Sequence, residues 1–485
     1  MPHDSAAQPN QMMLDLLHVH PFVRAEVHDR ILGTLFGAAL GDAIGIYTEF
    51  LPKHQANTDY PARSFDLVAK TPPYRKDTHR APHRPGNWTD DTDHALCIVL
   101  QWLEKSKVEV DEAHGTGTGN AHDGRSSPPS YKRSPGVVTP HALAFRLSTW
   151  CQQGLRALDG MPLGLGRTVA SVIVTAGYTT NPHQTAVDVW RKGGRKAAAN
   201  GSLMRTHPVG LMCLHKSAEE CFKMAAELSC VTHVDPRCVL ACCIGSALIR
   251  GLVRGEVSTE EGITDTIAAA RRWYNDVWVA TMKERYGAQE TALDGEFAVK
   301  DDEIDLYVSG THELVDLKLD DGAMGYVLKC LSTGLILLRK TMRALRADGS
   351  MRCRMDIFQT LITDLIMEGG DADTNGCFAG SLLGSHLGYK ALPPKWRDGL
   401  NHGEWLLNKA ESVAIILGAR DGTYDGRADK DNAIDGAKGL LSKDQMEDRW
   451  ARFTAKVLEE SGVLAKTQPK SGMSSFFGLL GKRAT

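Results

Sequence analysis

Carboxylates and hydroxyls are concentrated in the run Gly86–Asp93 (GNWTDDTD), directly before an apolar stretch. Such residues also begin ordinary helices, because Thr or Asp caps a helix and acids in the first turn complement its dipole. That explanation accounts for one or two acids, whereas this run has three Asp and two Thr in five positions. Adjacent like charges repel unless a positive charge lies between them. From this run alone, a helix start and a cation site remain equal alternatives.

A second polar motif, Glu368–Gly376 (EGGDADTNG), precedes a stretch of small residues. Its Asp-x-Asp-x-Asn-Gly core imitates the start of an EF-hand loop, which requires a bidentate Glu at its twelfth position. Counted from Asp371, that position is Leu382, in an apolar segment. The EF-hand interpretation therefore fails. Two carboxylates and a hydroxyl remain at a predicted helix N-terminus.

The two motifs together offer oxygen ligands from Asp and Thr, with neither Cys nor His. Hard oxygen ligands select Mg²⁺, Mn²⁺ or Ca²⁺ over zinc. Four carboxylates in one place repel each other strongly without cations, and they suit two such ions. The N-termini of helices that are distant in sequence can converge in a bundle. We therefore predict one hydrolytic metal site, formed by Thr89, Asp90, Asp91, Asp371, Asp373 and Thr374.

Several other polar positions have both a functional and an ordinary interpretation. Glu49 follows a glycine-spaced helix, and its spacing alone favours a solvated surface acid. The loops at Asn200–Ser202 and Gly164–Gly166 are either phosphate-cradling turns or ordinary ones. His233 precedes Pro236, which suits a first helical turn capped by Asp235 or Thr232, and a single His there is usually structural.

The elements that must position these residues are mostly helices. Between Val27 and Ala43 apolar residues recur at helical spacing, and Gly33, Gly37 and Gly41 follow every four residues, which lets a second helix approach closely. The stretches 91–105, 236–252, 324–338 and 378–387 have the pattern of buried helices. Alternating runs of strand length are scarce. The sequence therefore predicts a mostly α-helical fold.

Changes in composition along the chain suggest its organisation. Residues 1–27 are predicted to form a flexible arm, residues 28–420 the catalytic domain and residues 421–485 a C-terminal extension. Two insertions are expected within the domain. The first, at about 112–140, is rich in Gly, Ser, Thr and Pro and is predicted to be disordered; the second, at about 283–321, is charged and predicted to lie on the surface.

The composition excludes several classes of protein. A net charge of −3 does not suggest a dedicated nucleic-acid surface. The eleven cysteines lack zinc-finger spacing and are predicted to be reduced thiols. We find neither a signal peptide nor an apolar segment of transmembrane length. These features predict a soluble, cytoplasmic protein without a membrane partner; a nuclear location stays compatible, and a monomer is the default expectation.

Five motifs in this order closely resemble the ADP-ribosylglycohydrolase family, over roughly residues 30–420. They are Gly41–Phe50, Trp88–Thr92, Asn200–Arg205, Thr232-His233 and Gly369–Asn375. The resemblance implies an all-α, orthogonal multi-helix bundle with loop insertions and a binuclear Mg²⁺ or Mn²⁺ centre. It implies that the six oxygen-bearing residues named above ligate the metals.

The resemblance also implies the reaction, which is hydrolysis of the C1″ glycosidic bond that joins ADP-ribose to a protein side chain. Glu49, Asp90 and Asp91 would be catalytic, with Glu49 near the scissile bond. ADP-ribose would be held by Gly164, Gly166, Asn200, Gly201, Ser202 and His233. The expected partners are ADP-ribose and ADP-ribosylated proteins.

Two other functions are compatible with the same residues. One is an ADP-ribose binder without activity, such as a crystallin-like relative, although the complete set of ligand types argues against it. The other is a metal-dependent phosphohydrolase that acts on a nucleotide diphosphate. The acceptor also stays open, because arginine-linked, serine-linked and other ADP-ribose conjugates all suit the motifs.

Overall fold

A computed structural model describes residues 21–111, 130–287, 293 and 295–461. Helices dominate these residues, and a small sheet lies beside them. The α-helices are α1 (Pro21–Gly45), α2 (Lys53–Asp59), α3 (Asp90–Glu104), α4 (Pro140–Gln153), α5 (Arg167–Ile173), α6 (Pro182–Lys192), α7 (His207–Met212), α8 (Ala218–Ser229), α9 (Pro236–Arg254), α10 (Glu260–Trp273), α11 (Val279–Tyr286), α12 (Asp301–Val308), α13 (Val327–Ala347), α14 (Met351–Ile366), α15 (Ala372–Leu387), α16 (Pro394–Arg397), α17 (Gly403–Ile416) and α18 (Lys443–Ser461). The predicted all-α class is confirmed.

The centre of the fold is a crossing between α1 and α15, whose facing surfaces are lined with glycine. A Cβ atom added at Gly37 would lie 2.2 Å from the carbonyl oxygen of Gly380. One added at Gly41 would lie 1.9 Å from that of Gly376. Any side chain at these positions would force the helices apart. The predicted role of the regularly spaced glycines, close approach of a second helix, is confirmed.

Helix α9 lies against α15 in the core and begins as its sequence predicts. Asp235 caps it, since its carboxylate accepts a hydrogen bond from the backbone N–H of Arg237 at 3.1 Å. The sequence predicts no apolar segment of transmembrane length, but by length and composition this helix could cross a membrane. In the folded chain 94% of the apolar window is buried, as in the core helix of a globular protein, so length and composition are weak evidence for a span.

The sheet is antiparallel, in the order β2-β1-β3, and consists of β1 (Lys107–Val110), β2 (Tyr131–Ser134) and β3 (Tyr424–Asp425). Lys107 pairs with Ser134 on one side and with Asp425 on the other. The prediction of a disordered loop through residue 140 is therefore wrong for residues 131–134, because backbone hydrogen bonds to β1 order them. Residues 112–129 of that predicted loop lie outside the described residues.

Two other predicted boundaries also need correction. The predicted N-terminal arm 1–27 extends too far, because α1 begins at Pro21 and Val27 is already buried; residues 1–20 lie outside the described residues. The segment 283–321 is more than a surface insertion. Phe297 and Leu319 are buried within it, and the carboxylate of Glu296 binds the guanidinium group of Arg191 at 2.7 Å.

Candidate active site and metal centre

The glycine crossing brings two helix N-termini together. Helix α3 begins after the N-cap Thr89, and α15 begins after the N-cap Asp371. At the end of α1, a Cβ atom added at Gly45 would lie 2.2 Å from the Cα atom of Asp373. Anionic side chains are favoured near helix N-termini, where the backbone N–H groups point outward. Both acidic motifs therefore reach the same point of the fold.

Five carboxylates form two overlapping groups at this point. Asp42, Asp91 and Asp373 each offer an oxygen within 4.8 Å of the others, and so do Glu49, Asp371 and Asp373. Asp373 belongs to both groups. Two sets of hard oxygen ligands with one shared member suit a pair of neighbouring divalent cations.

Asp42 is a member of the site that the sequence prediction missed. Its carboxylate accepts hydrogen bonds from the backbone N–H and hydroxyl of Thr89, and from the same two groups of Thr92, at 2.6–3.1 Å. It therefore anchors the first turn of α3 to α1. A sequence signal exists, because Asp42 is the single charged residue in the apolar stretch Ile31–Gly45.

The threonine hydroxyls surround Asp91. Thr89 Oγ1 lies 3.0 Å from one Asp91 oxygen, and Thr374 Oγ1 lies 3.2 Å from the same oxygen. The other oxygen, Asp91 Oδ1, is buried and has no hydrogen-bond partner among the described residues. A buried carboxylate oxygen without a partner is costly, and a cation would satisfy it.

The three Asp residues of the first motif take different roles. Asp91 joins the ligand groups, whereas Asp90 belongs to neither of them. Asp90 lies instead against Gly164, where an added Cβ atom would fall 2.2 Å from Asp90 Oδ1. Asp93 belongs to neither group and accepts hydrogen bonds from the indole N–H groups of Trp88 and Trp150, both at 2.8 Å.

Burial and mutual repulsion act on all of these acids. Burial raises the pKa of Asp42 to about 7. Burial first, and then neighbouring carboxylates, raise the pKa values of Asp90, Asp91, Asp371 and Asp373. Without positive charge, the site therefore holds protons that an exposed Asp would release. The donor chemistry, the unpaired Asp91 oxygen and the raised pKa values together fit divalent cations.

Glu49 is not the solvated acid that its spacing favours, because only 6% of its surface is exposed. Its carboxylate lies 2.7 Å from His79 Nε2. The adjacent backbone pairs with the second motif, since the N–H of Gly370 donates to the carbonyl of Leu51 at 3.0 Å. This pairing brings Glu49 to the carboxylates of Asp371 and Asp373. No motif marked His79 in the sequence.

The predicted substrate loops lie around this centre. Asn200 Nδ2 donates to Asp371 Oδ2 at 2.8 Å, so this loop touches the carboxylate group directly. Gly164 and Gly166 are exposed. Gly201 faces the His233 ring, where an added Cβ atom would lie 3.1 Å from Cε1.

Ser202 and His233 are more deeply placed than substrate contacts usually are. Ser202 has no exposed surface, and its hydroxyl accepts a hydrogen bond from Ser229 at 3.0 Å. His233 Nδ1 lies 2.8 Å from the hydroxyl of Thr232, and burial lowers the pKa of this imidazole to about 3. Its Nε2 is buried without a hydrogen-bond partner in the described part of the chain. His233 is therefore neutral and retains one unused ring nitrogen beside Gly201.

Comparison with known proteins decides the family. The sequence profile of the ADP-ribosylglycohydrolase family matches residues 23–425, most of the chain. The chain belongs to the ADP-ribosylglycohydrolase family. The predicted family, its all-α fold and the prediction of an ADP-ribosylhydrolase enzyme are thereby confirmed. The roles of the individual site residues and the metals remain predictions for this member of the ADP-ribosylglycohydrolase family.

Two curated relatives and one solved structure illustrate the similarity. The chain is 21% identical over 405 residues to ADP-ribosylarginine hydrolase Tri1 of Serratia proteamaculans (strain 568), covering 82% of both. It is 22% identical over 383 residues to ADP-ribosyl-[dinitrogen reductase] glycohydrolase of Rhodospirillum rubrum, covering 77% of this chain and 91% of the relative. A structure named as an ADP-ribosylglycohydrolase-related protein complex is 20% identical, with a TM-score of 0.46, over 81% of this chain and 99% of that one.

The raised pKa values predict how pH and cations affect stability. A carboxyl whose pKa is higher in the folded than in the unfolded state binds more protons when folded, so stability falls as pH rises between the two values. For Asp42 this window runs from about 4 to about 7. In a chelator, the Tm should therefore fall as pH rises through this window. Added Mg²⁺ or Mn²⁺ should raise the Tm more at about pH 8 than at about pH 5, because cations and protons compete.

Thermal unfolding at several pH values, with chelator and with each cation, measures this effect. Chloride salts of Na⁺ at matched ionic strength control for general screening. A cation effect of equal size at both ends of the pH range would contradict the carboxylate site.

Proposed function

We propose that this enzyme is a metal-dependent hydrolase that releases ADP-ribose from modified arginine side chains of proteins. The observation that carries the proposal is the pair of carboxylate groups sharing Asp373, at the meeting point of two helix N-termini. The names of the two curated relatives support ADP-ribosyl-protein hydrolysis, and that of the Serratia relative supports arginine as the acceptor. Serine-linked ADP-ribose is the competing substrate.

The residues that would hold two divalent cations are those of the two groups. Asp42, Asp91 and Asp373 would hold one cation, and Asp371 and Asp373 the other, with Glu49 as a further ligand when no substrate is bound. When bound, Mg²⁺ or Mn²⁺ supplies positive charge to offset the carboxylates and polarises the hydroxyls of a ribose. The hydroxyls of Thr89 and Thr374 would orient Asp91, whereas Asn200 would orient Asp371.

Hydrolysis breaks the bond between C1″ and the acceptor nitrogen and forms a bond between C1″ and a water oxygen. Positive charge develops on the ribose in such a transition state, and nearby carboxylates stabilise it. Glu49 is the candidate base, because its carboxylate lies beside Asp371 and Asp373 and is oriented by His79 Nε2 at 2.7 Å. The acceptor nitrogen leaves with the proton that Glu49 has taken from the water, which returns Glu49 to its carboxylate form.

Hydrolysis of defined peptides tests the proposal. Peptides that carry ADP-ribose on arginine or on serine are incubated with the enzyme in Mg²⁺, in Mn²⁺ and in chelator. We expect release of free ADP-ribose, faster from the arginine peptide, and loss of release in chelator. AMP as the product would instead indicate attack on the pyrophosphate. Binding of ADP-ribose without release from either peptide would identify a binder rather than an enzyme.

Glu49→Gln is expected to lower kcat by about 10²–10⁴-fold, because the amide cannot accept the proton from water. Its Tm in chelator should stay close to that of the wild type, since Gln keeps the size and the hydrogen-bonding capacity toward His79. Steady-state rates on the preferred peptide measure the change. Glu109→Gln, at an exposed position on β1 outside the site, is the matched control. Near-normal kcat in Glu49→Gln would remove Glu49 as the base.

A further inference from the structure

The C-terminal part of the described chain contacts the loop that leads to Gly164, beside Asp90. The family match ends at residue 425, so helix α18 lies outside it. This helix and the residues before it pack on the loop between α4 and α5. We define loop 154–163 as the residues from Gly154 to Leu163, directly before Gly164.

Two basic side chains of the C-terminal part hold this loop. Arg449 donates hydrogen bonds to the backbone carbonyl groups of Gln153, Asp159 and Gly160, at 2.7, 2.5 and 2.9 Å. Lys438 Nζ lies 2.6 Å from an Asp159 carboxylate oxygen. The bonds from Arg449 satisfy backbone carbonyl groups that would otherwise be hydrated.

The backbone also approaches the loop closely. A Cβ atom added at Gly436 would lie 2.9 Å from the Cα atom of Ala157, so a side chain at this position would collide with the loop backbone. The N–H of Leu441 donates to Gln153 Oε1 at 2.9 Å, and Gln153 is buried. Side chains and backbone of residues 436–449 therefore contact the end of α4 and the first part of the loop, as far as Gly160.

Loop 154–163 leads directly into the active site. It continues into Gly164, which lies against Asp90. Its side chains also form one wall of a cavity of about 80 Å³ that reaches Thr89. Five of its lining side chains are apolar, namely Leu155, Leu158, Met161, Leu163 and Trp88, and polar side chains including His83, Asn87 and Asp93 complete it. A displacement of the loop would thus move both Gly164 and this cavity relative to the carboxylates.

We propose that residues 436–449 are a positioning element for substrate binding, acting through Arg449 on loop 154–163. The proposal rests on the proposed function for its substrate, although the contact with the loop does not. Arg449 does not touch the reacting groups. Its loss should weaken substrate binding and change the chemical step little, because the carboxylates belong to α1, α3, α15 and their adjoining turns.

Arg449→Ala tests this inference in the full-length protein. We expect KM for the ADP-ribosylated peptide to rise by about tenfold and kcat to stay within about twofold. The Kd of ADP-ribose, measured by calorimetry, should rise in parallel. Arg449→Lys should recover most of the loss, because an ammonium group retains donors for the same carbonyl groups. Arg452→Ala is the matched control, since Arg452 is on the same helix and pairs with Asp448 there.

Hydrogen exchange adds a measurement that needs no substrate. Amides of loop 154–163 should exchange faster in Arg449→Ala, whereas those of α3 should not. Unchanged loop exchange, or kinetics equal to those of Arg452→Ala, would overturn the positioning role. So would a fall in kcat with unchanged KM. By contrast, a wild-type protein that neither binds nor releases ADP-ribose would overturn the proposed function. In that case the hydrogen-exchange result alone would decide whether Arg449 positions the loop.

Discussion

Asp373→Asn is expected to abolish hydrolysis, with kcat/KM reduced by about 10³-fold or more. Asp373 is the member that both carboxylate groups share. Replacing it with an amide therefore removes one negative ligand from each cation, whereas any other substitution in the site affects one group. Asn is nearly the same size as Asp, so the packing of α15 against α1 should survive.

The same variant should have an unusual effect on stability. Burial and the neighbouring carboxylates raise the pKa of Asp373 well above its usual value, which means that its charge is unfavourable in the ion-free protein. Removing that charge should keep or raise the Tm in chelator at neutral pH. It should also eliminate most of the Tm increase that Mg²⁺ or Mn²⁺ produces. A mutation that only destabilises the fold would lower the Tm both in chelator and with cations.

Peptide hydrolysis and thermal unfolding, each with and without cations, measure the two effects. Asp364→Asn is the matched control, because Asp364 lies on α14 at the surface and pairs with Arg63. It should keep both the activity and the cation effect. If Asp373→Asn retained activity, or if cations raised its Tm as much as that of the wild type, the proposed arrangement of ligands would be wrong.

Gly37→Ala is expected to destabilise the fold by about 3 kcal/mol or more, because overpacking a tight core contact is costly. The added methyl group would lie 2.2 Å from the carbonyl oxygen of Gly380. That obstacle is backbone, so no side-chain rotation can relieve it, and the two helices must separate. Separation of α1 from α15 would also move Asp42 away from Asp373.

Denaturant unfolding in the presence of chelator measures this loss without a contribution from cation binding. Gly262→Ala is the control, since Gly262 is also in a helix but an added Cβ atom would meet its nearest neighbour at 3.5 Å, an ordinary contact. It should change the free energy of unfolding by less than about 1 kcal/mol, with helix propensity favouring Ala. Equal stability of the two variants would show that the crossing tolerates a side chain.

Asp42 and Glu49 are the two site residues whose positions differ most from what their local sequence indicates. Asp42 is marked as the single charge of an apolar stretch, but that signal does not identify its partners. Its contacts with Thr89 and Thr92 join positions 47 and 50 residues apart. Glu49 looked like a surface acid because its burial depends on His79 and on a backbone pairing with the Gly369–Gly370 turn. Such long-range contacts leave no periodic pattern in the chain.

The amino-acid sequence by itself determined the family and the local elements, and it predicts the ligand chemistry. Oxygen ligands without Cys or His predict hard cations, the polar runs mark the starts of α3 and α15, and glycine every four residues predicts a close helix crossing. These properties depend on residue type and short spacing, which the sequence contains directly.

Tertiary structure decided which acids share a site. Successive residues of a helix point about 100° apart, so neighbouring carboxylates cannot all face one centre. Asp91 meets Asp42 and Asp373, Asp90 faces Gly164, and Asp93 turns toward two tryptophans. The crossing of α1 and α15 places the C-terminal end of α1 beside the N-terminus of α15. The hydrogen bonds from Thr89 and Thr92 to Asp42 then hold the first turn of α3 at the same point.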